Sequence, residues 1–176
     1  MKLYVARHGQ TRFNAQNRVC GVTDLPLTQT GVVQAQNLAV RAKDKDIDVI
    51  IASPLIRAQQ TAAEISSLIG VPVTTDSRIT EQNYGIYEGA DRKDSGFLAN
   101  KRQFAVQYPG GESMMQVAAR VYPFIDEIKK KYPDKNVLLV CHGGVCRVIK
   151  TYFEDMTNEE YFNYSPDNAF MAEYDL

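Results

Sequence analysis

The sequence has little of what several classes of protein require. It contains no tryptophan, two histidines and three cysteines among 176 residues, and its formal net charge is −1. Three cysteines without paired spacing do not indicate a disulfide framework, and a nearly neutral chain has no overall field that would attract nucleic acid or an anionic membrane. The longest apolar runs, at residues 49–52 and 137–140, have the length of strands rather than of membrane spans. The N-terminus lacks the charged and then apolar segments of a signal peptide. These absences predict a cytoplasmic protein with no nucleic-acid and no membrane partner.

The remaining composition is that of an ordinary globular chain. Hydrophobic residues make up 44% of the sequence and charged residues 23%, which is enough apolar content for a proper core. The chain shows no linker, no repeat and no low-complexity tract. We therefore predict that residues 1–176 form a single domain.

Strand-like and helix-like segments alternate along the chain. The predicted strands lie at residues 3–6, 48–52, 71–74, 136–141 and 169–174. The predicted helices lie at residues 28–42, 53–69, 112–132 and 144–153, the second with Ser53 as its cap and Pro54 in its first turn. This order favours an α/β fold, a three-layer α/β/α sandwich with a mostly parallel central sheet and an antiparallel edge strand. In such sheets the binding crevice lies beyond the carboxyl ends of the strands.

The two histidines both follow predicted strands, and each precedes a glycine. His8 stands between Arg7 and Gly9, and His142 is followed by Gly143 and another glycine. If the two strands are neighbours, the two imidazoles meet at one crevice. Arg57 lies at the start of the helix that follows another strand, so two guanidiniums can join them where helix N-termini also point. Such a site suits a compact dianion, and phosphate is the commonest candidate.

The same residues allow two alternatives to a phosphate site, a metal site and a cysteine nucleophile. Histidine is also the commonest transition-metal ligand, but no third ligand stands at a recognisable spacing, and Cys141 and Cys146 beside His142 are better explained as core residues. The sequence therefore predicts no metal. Cys20 could be a nucleophile, but no further histidine remains to activate it.

Six blocks in order resemble the phosphoglycerate mutase-like histidine phosphatases, over almost the whole chain. The blocks are LYVARHGQTRFN at residues 3–14, DLPLTQTGVVQA at 24–35, SPLIRAQQT at 53–61, EQNYGIYEG at 81–89, GGES at 110–113 and VCHGG at 140–144. The Arg-His-Gly triplet alone would be a weak signal. Six blocks at workable spacings make the resemblance specific.

The resemblance implies a role for each central residue. His8 would be the nucleophile that forms a phosphohistidine, with its other ring nitrogen held by a nearby backbone carbonyl. Arg7, Arg57 and His142, the last as a charged donor, would bind the phosphoryl oxygens in place of a metal. Glu81 would protonate the leaving oxygen and later act as base toward water.

Further residues are implied to contact the phosphate or the substrate. These are Asn14, Gly9, Gly21, Gln82 and Gly143. Asn14 could equally cap a turn, and Gly21 could equally be a residue that the turn itself requires. No cofactor is expected. The partners would be a small phosphorylated substrate and inorganic phosphate as the product, and the protein would be a monomer or a homodimer.

The sequence departs from the mutase pattern at several positions. Gln82 replaces the arginine that typically follows the catalytic glutamate of the mutases, and Cys20 stands where they usually have a small hydroxylated residue. The cap segment, residues 88–111, is compact. Lys93, Lys101 and Arg102 in this cap could grip a substrate carboxylate, but we expect them to be solvated. A phosphatase of small phosphorylated metabolites is therefore the leading prediction, followed by a cofactor-dependent phosphoglycerate mutase and then by a binding module with little catalysis.

Overall fold

A five-stranded sheet forms the centre of the computed structural model, which describes all of residues 1–176. Its strands are β1 (Lys2–Arg7), β2 (Val49–Ala52), β3 (Val73–Thr75), β4 (Val137–Cys141) and β5 (Met171–Asp175). They lie in the order β3-β2-β4-β1-β5. Strand β5 runs antiparallel to β1, and every other pair is parallel. The predicted mixed sheet with an antiparallel edge strand is thus confirmed.

Helices cover both faces of this sheet. They are α1 (Arg12–Ala15), α2 (Gln29–Ala42), α3 (Ile56–Ile69), α4 (Ser95–Lys101), α5 (Met114–Lys131), α6 (Gly143–Phe153) and α7 (Asn158–Asn163). Successive side chains of a strand point to opposite faces. Leu139 accordingly packs in one apolar cluster with α5 and α6, while Leu138 and Val140 pack in the other with α2 and α3. This is the predicted α/β/α sandwich.

Helix α3 begins later than the sequence predicts. Its first helical residue is Ile56, and its N-cap residue Leu55 has no side-chain cap. Ser53 and Pro54 therefore precede the helix instead of starting it. The hydroxyl oxygen of Ser53 lies 2.7 Å from Nε2 of His142. This serine therefore contacts the histidine and is not the helix cap.

The short helices escaped prediction. Helices α1 and α7 each begin with a capping box, at Thr11 and Thr157, but their four and six residues are too few for an apolar periodicity. Within the cap segment, α4 ends at Lys101, so Arg102 and the residues that follow lie outside this helix. None of the helices combines the length and the apolar composition needed to cross a membrane.

Candidate active site

The two histidines meet because the strands before them are neighbours. In the β1–β4 pair Arg7 lies opposite Cys141, so His8 and His142 are the next residues of adjacent parallel strands. Their ring centroids are 5.1 Å apart, and both residues are buried. The structure therefore brings the two imidazoles to one crevice at the carboxyl edge of the sheet.

The surroundings of His8 determine which ring nitrogen carries the proton. Nδ1 lies 2.6 Å from the carbonyl oxygen of Gly9, and a carbonyl can only accept, so Nδ1 must be the donor. Nε2 lies 3.2 Å from Nε of Arg57, which can only donate, so Nε2 presents its lone pair. Burial, then the charges of Arg57 and Arg7, hold the pKa of His8 well below its ordinary value. The ring is therefore neutral, with Nε2 unprotonated.

Arg57 is fixed beside His8 by backbone carbonyls. It stands in the first turn of α3 and is fully buried. One terminal nitrogen donates to the carbonyl of Thr23 at 2.9 Å and the other to that of Gly21 at 2.6 Å. The guanidinium has no carboxylate partner. Its Nε thus remains directed at the nitrogen that would receive a phosphoryl group.

Arg7 reaches the open part of the site. It lines a cavity together with His8, Asn14 and Glu81. One terminal nitrogen of Arg7 donates to the carbonyl of Pro166 at 2.5 Å, whereas its buried Nε has no hydrogen-bond partner. A buried donor without a partner is costly, and a phosphoryl oxygen is the type of acceptor that would satisfy it.

His142 differs in charge from the expectation. Burial, followed by the nearby charge of Arg57, holds its pKa well below the ordinary value, so the ring is neutral rather than cationic. Its Nε2 is engaged by Ser53, and its buried Nδ1 has no partner within the protein. If the Ser53 hydroxyl donates to Nε2, Nδ1 carries the proton and becomes a neutral donor for an anion.

Glu81 is oriented by two backbone N–H groups. One carboxylate oxygen accepts from Gln82 at 2.9 Å, and the other accepts from Gly144, in the first turn of α6, at 2.9 Å. The side chain is buried and lines the same cavity as His8. A carboxyl group is thus fixed where it can exchange a proton with a group bound at His8.

Asn14 and Gly143 also line this cavity. The Oδ1 atom of Asn14 accepts from the backbone N–H of Thr11 at 3.0 Å, as part of the cap of α1. Its amide nitrogen is the end of the side chain that remains for a ligand. Asn14 therefore fits both of the roles that the sequence allowed, a cap and a pocket residue.

Gly9 and Gly21 do not act as the sequence suggests. The N–H of Gly9 donates to the hydroxyl of Thr61, and a Cβ on Gly9 would lie 2.3 Å from the carbonyl oxygen of Gly31. Gly9 is needed for this close approach to α2 and does not offer its N–H to an anion. Gly21 is absent from the cavity wall, and it contributes the carbonyl that holds Arg57.

Gln82 points away from His8. Its side-chain nitrogen donates to the carbonyl of Glu112 at 3.0 Å, and the residue lines an adjoining cavity beneath the cap. Gln82 is absent from the wall of the cavity in front of His8, so a contact with the phosphate does not fit this position, whereas a contact with the substrate stays a prediction.

The expectation for the cap cations is partly wrong. Lys93 and Arg102 are exposed as predicted, whereas Lys101 is half-buried and lines the adjoining cavity with Gln82. Burial, and then the like charges nearby, lower the pKa of Lys101 to about 8. A solvated lysine would show no such shift.

Several residues of the site were missed by sequence reasoning. Tyr84, Arg92 and Arg147 also line the cavity in front of His8, as does Cys20, which the sequence had offered only as an unlikely nucleophile. Arg147 lies in the second turn of α6, the helix that begins directly after His142. Its short distance in sequence from this histidine could have indicated that Arg147 lies near the site. Arg92 lies in the cap, where no periodicity points to the pocket. Burial raises the pKa of Cys20, which disfavours a thiolate nucleophile there.

Glu88 was also missed, and it organises the loop beneath Arg57. Its carboxylate accepts from the backbone N–H groups of Gly21, Val22 and Thr23 and from that of Tyr84, all at 3.1–3.2 Å. The carbonyls of this same loop hold Arg57. Elsewhere in the site, no group of three or more histidine, cysteine, aspartate or glutamate side chains is placed to hold a metal ion.

Comparison with known proteins decides the family. The sequence profile of the histidine phosphatase superfamily (branch 1) matches residues 3–175. The chain belongs to the histidine phosphatase superfamily. The six sequence blocks and the resemblance they carry are thereby confirmed.

Relatives of this histidine phosphatase include phosphatases and mutases. A putative phosphoserine phosphatase 2 of Hydrogenobacter thermophilus is 33% identical over 181 residues, which cover 98% of this chain and 88% of the relative. A probable phosphoglycerate mutase of Yersinia pestis is 34% identical over 152 residues, which cover 81% and 70%. Among solved structures, a mycobacterial glucosyl-3-phosphoglycerate phosphatase in complex with VO3 is 29% identical, with a TM-score of 0.88 over 98% of this chain and 91% of that one.

Proposed function

We propose that this histidine phosphatase hydrolyses small phosphorylated metabolites through a phosphohistidine on His8, without a metal ion. The observation that carries the proposal is the state of His8: a neutral ring whose Nδ1 is tied to Gly9 and whose Nε2 lone pair lies beside Arg57. A ring held in this tautomer needs no further proton transfer before it attacks. The named phosphatases among its relatives support the same reaction class.

In the first step the lone pair on Nε2 of His8 attacks phosphorus. A P–N bond forms, the P–O bond to the alcohol breaks, and Glu81 in its protonated form gives its proton to the leaving oxygen. Arg7 and Arg57 offset the negative charge on the phosphoryl oxygens, and Nδ1 of His142 donates a further hydrogen bond. Phosphoryl transfer of this kind depends on positioning and on charge stabilisation.

In the second step water replaces the alcohol. Glu81, now a carboxylate, takes a proton from the water as its oxygen attacks phosphorus. The P–N bond breaks, its electron pair returns to Nε2 of His8, and inorganic phosphate leaves. The two backbone hydrogen bonds to Glu81 keep its carboxylate at the same place in both steps.

Mutase activity is the second candidate, and a specific observation favours it. Arg92 and Arg147 line the pocket in front of His8, although the sequence predicted no cap cation there. Such charges could retain a phosphorylated intermediate while the molecule reorients. Against this candidate, Gln82 is neutral, and its side chain is already bonded to a backbone carbonyl.

The remaining proposals concern the setting of the enzyme. We propose that residues 1–176 act as one catalytic domain with residues 88–111 as a cap, as a monomer or homodimer. A cytoplasmic location fits the three free cysteines, among which the sulfurs of Cys141 and Cys146 are 3.6 Å apart without a bond. A small phosphate ester and inorganic phosphate are the proposed partners.

A paired assay separates the two candidate reactions. One enzyme sample is given a panel of phosphorylated metabolites for phosphate release, and 3-phosphoglycerate for isomerisation with and without 2,3-bisphosphoglycerate. We expect hydrolysis to exceed isomerisation on the same sample. Fast isomerisation that needs the bisphosphate, with negligible hydrolysis, would replace the phosphatase by the mutase.

A further inference from the structure

A turn just before β5, residues 166–169, lies behind the phosphate site. The carbonyl of Pro166 accepts from Arg7, and the N–H of Ala169 donates to the carbonyl of His8 at 3.2 Å. Between them stands Asn168, a half-buried residue that is absent from the wall of the cavity in front of His8. The turn therefore reaches the reacting residues without forming a surface that a ligand would touch.

The backbone of Ala169 gives this turn one fixed shape. Its φ is 58°, in the left-handed region that residues with a Cβ rarely adopt. Besides the hydrogen bond to His8, the carbonyl of Ala169 accepts from the guanidinium of Arg41. A backbone of this kind costs free energy and persists only where the surrounding contacts impose it. The position from which the neighbouring Asn168 side chain extends is thus fixed by the fold.

The side-chain nitrogen of Asn168 serves two acceptors in the site. It donates to the backbone carbonyl of His8 at 3.1 Å and to Oδ1 of Asn14 at 3.3 Å. An amide nitrogen carries two protons, so both are used on these two residues. Because the carbonyl of His8 can only accept, it determines which end of the Asn168 amide is the nitrogen.

The contact with Asn168 bears on the orientation of Asn14. Oδ1 of Asn14 also accepts from the backbone N–H of Thr11, which can only donate. Two donors on one side keep the amide oxygen there and leave the amide nitrogen for the cavity that Asn14 lines. An amide turned by 180° would oppose its nitrogen to both donors and would point its oxygen at the oxygens of a bound phosphoryl group.

We propose that Asn168 is a positioning residue for phosphoryl transfer. Anchored on the carbonyl of His8, it holds the amide of Asn14 in the orientation that donates to a phosphoryl oxygen. The inference rests on the proposed function, because it takes the anion in front of His8 to be a phosphoryl group. It adds to the site a residue that lies outside all six sequence blocks and contacts no substrate.

Binding of orthovanadate, titrated by calorimetry, tests this role without turnover. Asn168→Leu is close in shape but has no donor, so we expect it to weaken vanadate binding about tenfold. Asn168→Ser keeps a single donor, which cannot serve both acceptors, and should weaken binding several-fold. This smaller change carries the same test if Asn168→Leu does not fold. The exposed Asn163→Leu is the matched control and should bind vanadate like the wild type.

A second background separates positioning from a general loss of structure. Asn14→Asp keeps an oxygen that accepts from Thr11, but the two oxygens of a carboxylate are equivalent, so the orientation of the group no longer matters. Asn168→Leu should therefore cost about tenfold in vanadate affinity in the wild-type background and less than about twofold in the Asn14→Asp background. Equal losses in both backgrounds, or an unchanged affinity in Asn168→Leu, would overturn the proposal.

The two proposals fail in different ways. If vanadate affinity depends on Asn168 only when Asn14 is present, but no phosphate ester is hydrolysed, the role of Asn168 stands and the proposed function is wrong. If esters are hydrolysed through His8 and Asn168→Leu binds vanadate like the wild type, the proposed function stands and the role of Asn168 is wrong.

Discussion

The Nε atom of Arg57 lies 3.2 Å from Nε2 of His8, and the backbone carbonyls of Gly21 and Thr23 hold the other end of the guanidinium. The arginine is thus fixed beside the nitrogen that attacks phosphorus in the proposed mechanism. When the ring attacks, Nε2 of His8 gives up its contact with Arg57 and bonds to phosphorus. The guanidinium then lies next to the phosphoryl oxygens.

We expect Arg57→Lys to lower kcat/KM about 100-fold or more. A lysine keeps the charge but cannot span both carbonyls and the His8 nitrogen with one planar group. The measurement is steady-state hydrolysis of an aryl phosphate, together with inhibition by inorganic phosphate, which should weaken as well. The exposed Arg102→Lys is the control. Tight phosphate inhibition and near-normal turnover in Arg57→Lys would mean that Arg57 only supports the structure.

Glu88 should matter for catalysis although it does not line the cavity. Its carboxylate gathers the N–H groups of the loop whose carbonyls hold Arg57. An amide offers one accepting oxygen instead of two, so Glu88→Gln should loosen the loop and lower kcat several-fold or more while the protein still folds. The test compares kcat and vanadate affinity of Glu88→Gln with those of the exposed Glu159→Gln. Equal kcat and equal vanadate affinity in the two variants would show that Glu88 does not contribute to catalysis.

Stability should fall in mildly acidic solution because of the two buried histidines. Burial holds the pKa values of His8 and His142 well below the ordinary value in the folded protein, whereas the unfolded chain takes up protons near pH 6.5. The unfolded state therefore binds more protons below that pH. The free energy of unfolding should be nearly constant above about pH 7 and should fall below it, by up to about 1.4 kcal/mol per pH unit for each histidine.

Urea unfolding of the ligand-free protein between about pH 7.5 and pH 5.5 checks this slope. The window lies above the range in which carboxylates ordinarily titrate. The double variant His8→Asn with His142→Asn should flatten the slope. An equal slope in the double variant would show that other groups cause the acid sensitivity.

The strand framework was predictable because its signal is local. The run at residues 137–141 is apolar throughout and lies buried on both faces of the sheet, and histidines directly after β1 and β4 had to meet once those strands were neighbours. The periodicity of apolar residues does not show which strands are neighbours in the sheet. The pairing was an assumption that the fold class supported.

The cap was the least predictable part, for a physical reason. Its residues are arranged by contacts between distant segments, such as Arg92 with the carbonyl of Arg18 and Lys101 with that of Phe162. Composition alone made Lys101 resemble a solvated residue, and it gave no indication that Arg92 reaches the pocket. The prediction for Ser53 was likewise wrong, since its hydroxyl contacts His142 across 89 residues of sequence and is not the N-cap of the helix that follows.

Identifying the residue that carries the phosphoryl group tests the proposed phosphohistidine mechanism most directly. The enzyme is mixed with an aryl phosphate, with and without a chelator, quenched in base and analysed by peptide mass spectrometry. We expect an acid-labile, base-stable phosphate on the peptide that contains His8, absent from His8→Asn and formed equally with chelator present. Turnover without a label on His8, full activity in His8→Asn, or a label that appears only when a divalent ion is supplied would contradict it.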